Sequence, residues 1–237
     1  MPPRPPAQPI YLFADSQLLF WNHQGKPFLN SITESLDRQF IKAAYVGASN
    51  GDNPEYFSIF EAAMQTAGIS DYRMIVSSFP TIDQAFLNEA DIILLSGGSV
   101  EAGWKAFNQT DLANTIKKRF YDGAVLMGVS AGAVQLGILG WSDQPAEADT
   151  FFHTLNLVPS IVSVHDEESD WNNLKRAIEF VGHGVQGIGI PFGAGLICHP
   201  DQSIEALRRP VYEFFVADDG IVSGILVPDP TLAGDLH

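Results

Sequence analysis

The sequence predicts an α/β fold in which a mostly parallel sheet carries helices on both faces. Several short segments are apolar rather than alternating, an example being Ile92–Leu95 within the predicted strand 91–95, and this pattern is typical of parallel strands buried on both sides. Segments with helical spacing of apolar residues separate these strands. No repeat or linker divides the 237 residues, of which 46% are hydrophobic. We therefore predict a disordered start at 1–9 and a single α/β domain over 10–237.

The individual elements follow from the same patterns. Strands are predicted at 10–13, 43–47, 72–76, 91–95, 124–128 and 161–164, and helices at 54–67, 82–88, 104–120 and 171–181. Short strands at 187–190, 195–198, 203–207 and 211–215 are separated by turn residues, which indicates C-terminal β-hairpins packed beside the main sheet. Since chemistry in such folds gathers at the carboxyl ends of the strands, the loops after 46, 95, 128 and 164 should converge.

Composition excludes several classes of function. Thirteen basic and 28 acidic residues give a formal charge of −15, which disfavours binding to nucleic acid or to an anionic membrane. No apolar run approaches the roughly 18 residues of a membrane span, and no signal-peptide core follows the proline-rich start. The single cysteine, Cys198, excludes an internal disulfide and a cysteine metal cluster. We expect a cytoplasmic protein with no metal and no cofactor.

The segment Gly128–Ala133 combines a serine with small residues directly after an apolar strand. Such a strand–serine–helix turn is typical of a nucleophile elbow, which exposes the hydroxyl and aims the N–H of the following residue, Ala131, at an oxyanion. The alternative is a tight turn with an incidental serine. Gly97-Gly98 also ends a strand, so it either supplies a second oxyanion donor or is a plain turn.

A serine hydroxyl needs a base to become an effective nucleophile. Of six histidines, His165 stands out because it ends the apolar run 161–164, where a sheet would deliver it to the same crevice as Ser130. His199 instead lies in a predicted hairpin turn before Pro200. The alternative is a solvated loop histidine.

Taken together, these segments resemble the peptidase E (aspartyl dipeptidase) and cyanophycinase family, whose members are serine peptidases on a class I glutamine-amidotransferase-like, three-layer fold. The paired glycines of Leu94–Gly98 and the nucleophile motif of Gly128–Ala133 match family segments. Leu155–Pro159 resembles the family's L-x-L-x-P segment, with His165 six residues after the proline. Ile188–Gly193 resembles its late strand.

The resemblance implies that Ser130 is the nucleophile, His165 the general base, and the N–H groups of Gly98 and Ala131 the oxyanion hole. It also implies a small peptide substrate, and a homodimer is a family-level expectation.

Two positions depart from the family pattern. The triad glutamate of the late strand is replaced by Phe192, whose ring cannot orient an imidazolium, and loss of a triad acid typically costs about 10⁴-fold in rate. Asp143 is the first substitute, because the family's aspartyl dipeptidases carry an aspartate 22 residues before the histidine; otherwise it is a turn residue. After the paired glycines, Ser99 stands where the family carries an amide or acid and is a candidate substrate contact.

Three alternatives remain for the activity of this protein and for its substrate. An aspartyl group needs a cation, which Lys175 or Arg176 would supply unless both are ordinary surface charges. The resemblance favours a serine peptidase that cleaves short peptides such as Asp-Xaa dipeptides, with cyanophycinase-like hydrolysis of β-aspartyl-arginine as a second activity. The replacement by Phe192 favours instead a weak or inactive ligand-binding relative.

Overall fold

The computed structural model describes residues 7–36, 38–142 and 150–234. Within these ranges the chain forms seven α-helices and 15 strands. The helices are α1 Phe28–Ser35, α2 Pro54–Thr66, α3 Thr81–Leu87, α4 Val100–Gln109, α5 Leu112–Tyr121, α6 Ala131–Leu136 and α7 Asn172–Val181. The strands are β1 Ile10–Phe13, β2 Asn22–His23, β3 Lys26–Pro27, β4 Lys42–Val46, β5 Asp71–Ile75, β6 Ile92–Leu95, β7 Val125–Val129, β8 Leu139–Trp141, β9 Phe151–His153, β10 Ser160–Val164, β11 Gln186–Ile190, β12 Gly195–Cys198, β13 Ile204–Leu207, β14 Val211–Ala217 and β15 Gly220–Leu226.

The central sheet has seven strands in the order β13-β12-β1-β7-β6-β4-β5. Five of these strands run parallel to one another: β1, β7, β6, β4 and β5. The hairpin of β12 and β13 extends the sheet beside β1, with β12 antiparallel to β1. Each parallel strand ends at the same edge of the sheet, so the loops after β4, β6 and β7 lie side by side. The predicted mostly parallel sheet is therefore confirmed.

Helices cover the sheet on both faces. In β1, the side chains of Tyr11 and Phe13 pack against α1 and α2, whereas Ile10 and Leu12 pack into the core that contains α4, α5 and α6. This follows from the alternation of side chains along a strand. Because both faces are buried, every residue of β1, β6 and β7 is buried, which explains the continuous apolar runs.

A second sheet, in the order β10-β11-β14-β15, carries the histidine strand. β10 and β11 are parallel, and β14 and β15 form an antiparallel hairpin. Helix α7 covers this sheet through Leu174 and Ile178. Trp171 also packs here and is only 3% exposed, because Gly189 leaves space for its ring: a Cβ at that position would lie 2.7 Å from it.

The predicted single helix at 104–120 is wrong. The structure divides this segment into α4 and α5, with Thr110 extended between them (φ −132°, ψ 179°). The Thr110 hydroxyl donates to the carbonyl of Ala106 at 2.8 Å and accepts from the N–H of Leu112 at 3.4 Å. Such local side-chain hydrogen bonds compete with the helix. Helix α4 also begins earlier than predicted, at Val100.

The buried carboxylate of Asp83 forms an ion pair with Arg73. Asp83 is 2% exposed and accepts hydrogen bonds from Arg73 Nε at 2.7 Å and from the N–H of Val76 at 2.9 Å. These bonds fasten α3 to the end of β5.

No helix in the described ranges is both long and apolar enough to cross a membrane. Of the predicted disordered start, residues 1–6 lie outside the described part of the chain.

Candidate active site

Ser130 occupies a strained turn between β7 and α6. Its backbone lies at φ 50° and ψ −114°, a region that residues other than glycine rarely adopt. The Ser130 N–H donates to the carbonyl of Phe13 in β1 at 2.9 Å, and its own carbonyl accepts from the N–H of Ala133 at 2.9 Å. The strand ladder and the first helical turn thus hold the conformation that projects the hydroxyl.

Glycines make this turn possible. A Cβ on Gly132 would lie 2.1 Å from the carbonyl oxygen of Leu95, and one on Gly128 would lie 2.6 Å from the backbone of Gly132. Both positions therefore exclude larger residues, so the small residues of the motif follow from close backbone packing.

His165 faces the serine from the second sheet. Its N–H donates to the carbonyl of Ile190 at 2.9 Å, which continues the pairing of β10 with β11 one residue further. The ring Nε2 lies 2.8 Å from Ser130 Oγ, within the range required for proton transfer. The structure brings together the two residues that the sequence predicted as nucleophile and base.

Two backbone N–H groups belong to residues that line a cavity together with Ser130. Neither the N–H of Gly98 nor that of Ala131 donates a hydrogen bond to another described group, and both residues line one cavity with Ser130 and His165. Gly98 lies at φ 134°, and a Cβ there would meet the carbonyl oxygen of Ser49 at 2.1 Å. Free N–H donors beside a nucleophile are the elements of an oxyanion hole.

A buried amide that the sequence did not reveal supports this loop. Gln135 of α6 is fully buried, and its Nε2 donates to Ser49 Oγ at 3.0 Å and to the carbonyl of Val100 at 3.1 Å. The carbonyl of Ser49 in turn accepts from the N–H of Ser99 at 2.8 Å. The nucleophile helix and the glycine loop are therefore tied together through Ser49.

The L-x-L-x-P segment has a structural role. The N–H groups of Leu155, Leu157 and Val158 donate to carbonyls of Gln135 and Leu136 at 2.9–3.0 Å. They satisfy acceptors that the end of α6 leaves unpaired. The segment thereby fixes the start of β10 relative to the nucleophile helix, and β10 delivers His165.

Among the described residues, no hydrogen bond reaches His165 Nδ1, the atom that a triad acid would hold. Phe192 lies beside the site, half exposed, and its N–H donates to Glu167 Oε1 at 2.8 Å. Asp166 Oδ1 accepts from Ser169 Oγ at 2.6 Å. Asp143 lies outside the described residues.

Two of the predicted substrate contacts have other partners. Ser99 caps α4, its hydroxyl accepting from the N–H of Ala102 at 3.1 Å, and it lines neither cavity at Ser130. Arg176 and Lys175 lie on α7 and line neither cavity. Lys175 pairs with Asp170 at 2.7 Å.

Two cavities meet at the serine. The larger has a volume of about 560 Å³ and the smaller about 190 Å³, and both are lined by Gly98, Ser130 and His165. No group of three or more His, Cys, Asp or Glu side chains within 7–36, 38–142 and 150–234 is arranged to hold a metal ion.

A comparison with protein families matches residues 20–230 to the model described as peptidase family S51. The chain belongs to peptidase family S51. This match spans β7, α6 and β10, which carry the serine and the histidine, and leaves out β1. Membership of the family supports peptidase activity. A search of curated proteins found no match.

Solved structures of peptidases share the S51 chain's fold. A peptidase from an acI-B1 Actinobacterium superposes with a TM-score of 0.66 at 15% identity, covering 94% of this chain and 95% of that one. A putative peptidase E protein from Listeria monocytogenes EGD-e gives a TM-score of 0.62 at 14% identity, covering 85% and 98%. These similarities establish the α/β fold.

Proposed function

We propose that this chain is a serine peptidase that cleaves short peptides, with Ser130 as nucleophile and His165 as general base. The observation that carries the proposal is the 2.8 Å contact between Ser130 Oγ and His165 Nε2 on a strained elbow, beside the N–H donors of Gly98 and Ala131. A buried serine in an ordinary turn would require neither the strain nor the free donors.

The steps follow from these positions. Ser130 Oγ attacks the peptide carbonyl carbon while its proton moves to His165 Nε2, and the carbonyl oxygen gains negative charge facing Gly98 and Ala131. The C–N bond then breaks, and the leaving nitrogen takes the proton from Nε2. Water, deprotonated by the same Nε2, attacks the acyl carbon and releases Ser130 with its proton.

Labelling with a fluorophosphonate probe tests this assignment. The wild-type protein should be labelled, and Ser130→Ala should not. His165→Ala should slow labelling by about 100-fold or more, since general base catalysis contributes about 10²–10⁴. Ser58→Ala is the matched control, because within the described part of the chain this exposed serine of α2 bonds only the carbonyl of Pro54. Absence of Ser130-dependent labelling and of dipeptide hydrolysis would favour an inactive ligand-binding protein.

The family's glutamate can be supplied at its position in the late strand. Phe192 and His165 line the same cavity, so Phe192→Glu should place a carboxylate where it can stabilise the imidazolium. Because loss of a triad acid costs about 10⁴-fold, we expect kcat to rise by at least about 10-fold. Phe192→Gln is the neutral control. An equal response of both variants would show that charge at this position does not limit the reaction.

A further inference from the structure

The larger cavity indicates which substrates the proposed peptidase accepts, so this inference rests on the function proposed above. Ser130 and His165 stand at one side of the cavity, and its walls are mostly aromatic or aliphatic. The apolar lining includes Leu19, Tyr45, Tyr56, Ile59, Phe60 and Phe192. A volume of about 560 Å³ accommodates a large side chain.

Two polar side chains of this cavity are already engaged, whereas the buried Ser96 Oγ has no hydrogen-bond partner among the described residues. The Asp15 carboxylate accepts from the N–H groups of Gln17 at 2.8 Å and Gly193 at 2.6 Å. The Tyr45 hydroxyl accepts from Asn50 Nδ2 at 2.6 Å, and burial raises the pKa of Tyr45, so this hydroxyl stays neutral. No lysine or arginine is among the described residues that line the cavity. An aspartyl side chain inside the cavity would lose its hydration with no cation among the lining residues.

The smaller cavity has a different character. At about 190 Å³ it suits a small residue, and Ser163, Asp166 and Asn173 contribute to its lining. Asp166 Oδ2 is buried and accepts no hydrogen bond from the described residues. A positively charged group in this cavity would be favoured by that carboxylate.

A cationic side chain, Arg209, lies beside the larger cavity. Arg209 Nη1 donates to the carbonyl of Phe192 at 3.2 Å, next to the larger cavity. Among the described residues Arg209 forms no ion pair with a carboxylate. Within the described ranges, the site therefore has an unpaired carboxylate, Asp166, beside the smaller cavity and an unpaired guanidinium, Arg209, beside the larger one. The carboxylate that lines the larger cavity, Asp15, is held by two backbone N–H groups.

We propose that the larger cavity binds an aromatic or large aliphatic side chain on the leaving side of the scissile bond. A small N-terminal residue then occupies the smaller cavity, with its ammonium group toward Asp166, and the carboxylate of the leaving residue lies toward Arg209. The substrate class is a dipeptide with a small first residue and a large apolar second residue, such as Ala-Phe or Ala-Leu.

Four dipeptides test the proposal through kcat/KM: Ala-Phe, Ala-Ala, Phe-Ala and Asp-Ala. Burial of a phenyl side chain predicts that Ala-Phe exceeds Ala-Ala by about 10- to 100-fold. Ile59→Asp should lower the ratio of Ala-Phe to Ala-Ala by at least about 10-fold, because it places a charge in the apolar wall. Ile82→Asp is the matched control: Ile82 is an exposed helical residue of α3 outside the cavity, and its variant should keep the wild-type ratio.

The possible results distinguish failure of the substrate assignment from failure of the proposed peptidase function. If the probe labels Ser130 but Asp-Ala or Phe-Ala is the best substrate, the substrate assignment is overturned and the peptidase survives. The same holds if Ile59→Asp leaves the ratio unchanged. If Ser130 is not labelled and none of the dipeptides is hydrolysed, the peptidase proposal fails, and the substrate assignment with it.

Discussion

Ser130→Gly should produce an inactive protein that is more stable than Ser130→Ala. Both variants lose the hydroxyl and its contact with His165, so their difference isolates the backbone conformation. At φ 50° and ψ −114°, a side-chain-bearing residue is strained by about 1–3 kcal/mol. Glycine relieves that strain but adds about 0.5–1 kcal/mol of conformational entropy in the unfolded chain. The net gain is between about 0 and 2.5 kcal/mol, with about 1 kcal/mol as the central value.

Urea unfolding followed by tryptophan fluorescence measures this difference. In a chain of 237 residues, about 1 kcal/mol corresponds to a melting temperature about 2–4 °C higher. The reasoning assumes that the strand ladder and α6 hold residue 130 in the same conformation in both variants. If Ser130→Gly unfolds at a lower urea concentration than Ser130→Ala, with equal slopes, the elbow stores no strain that glycine can relieve.

Three further predictions concern other positions. Gly98→Ala would place a Cβ 2.1 Å from the Ser49 carbonyl oxygen and displace the proposed oxyanion donor; steady-state kinetics should show kcat at least about 100-fold lower, and a wild-type kcat would contradict that role. Asp83→Ala should lower the free energy of unfolding by about 2–4 kcal/mol in urea, because it removes the buried partner of Arg73 and leaves the part-buried N–H of Val76 without an acceptor; a loss below about 0.5 kcal/mol would refute this. Burial raises the pKa of the Cys198 thiol, which keeps it protonated at pH 8, so iodoacetamide should modify it slowly in the folded protein and rapidly in urea; equal rates would show that the thiol is accessible.

The sequence predicted the central strands because their signal is local. A strand buried on both faces is apolar at each position, and Ile92–Leu95 could be recognised from that alone. The elbow was equally visible, since the close approach of Gly132 to Leu95 admits no side chain. His165 was found because it directly follows an apolar strand, although that strand belongs to the second sheet and not, as the single-sheet prediction assumed, to the sheet of β7.

Other features depend on partners distant in the sequence. Gln135 bonds Ser49, 86 residues away, so nothing near Gln135 indicates that its amide can be buried. The Phe192 N–H bonds Glu167, 25 residues away. The break between α4 and α5 was missed for the opposite reason: apolar spacing continues through Thr110, while the hydroxyl of that residue favours an extended backbone.

The proposed nucleophile and base belong to different sheets: Ser130 follows β7 of the central sheet, and His165 follows β10 of the smaller one. Their 2.8 Å contact therefore depends on how the two sheets are docked, through the core shared by α6 and β10. Hydrogen-bonded proton transfer is lost when this distance grows by about 1 Å, a change that leaves both sheets folded. Activity is then a more sensitive reporter of inter-sheet packing than circular dichroism, and substitutions that loosen this shared core should inactivate the protein before they unfold it.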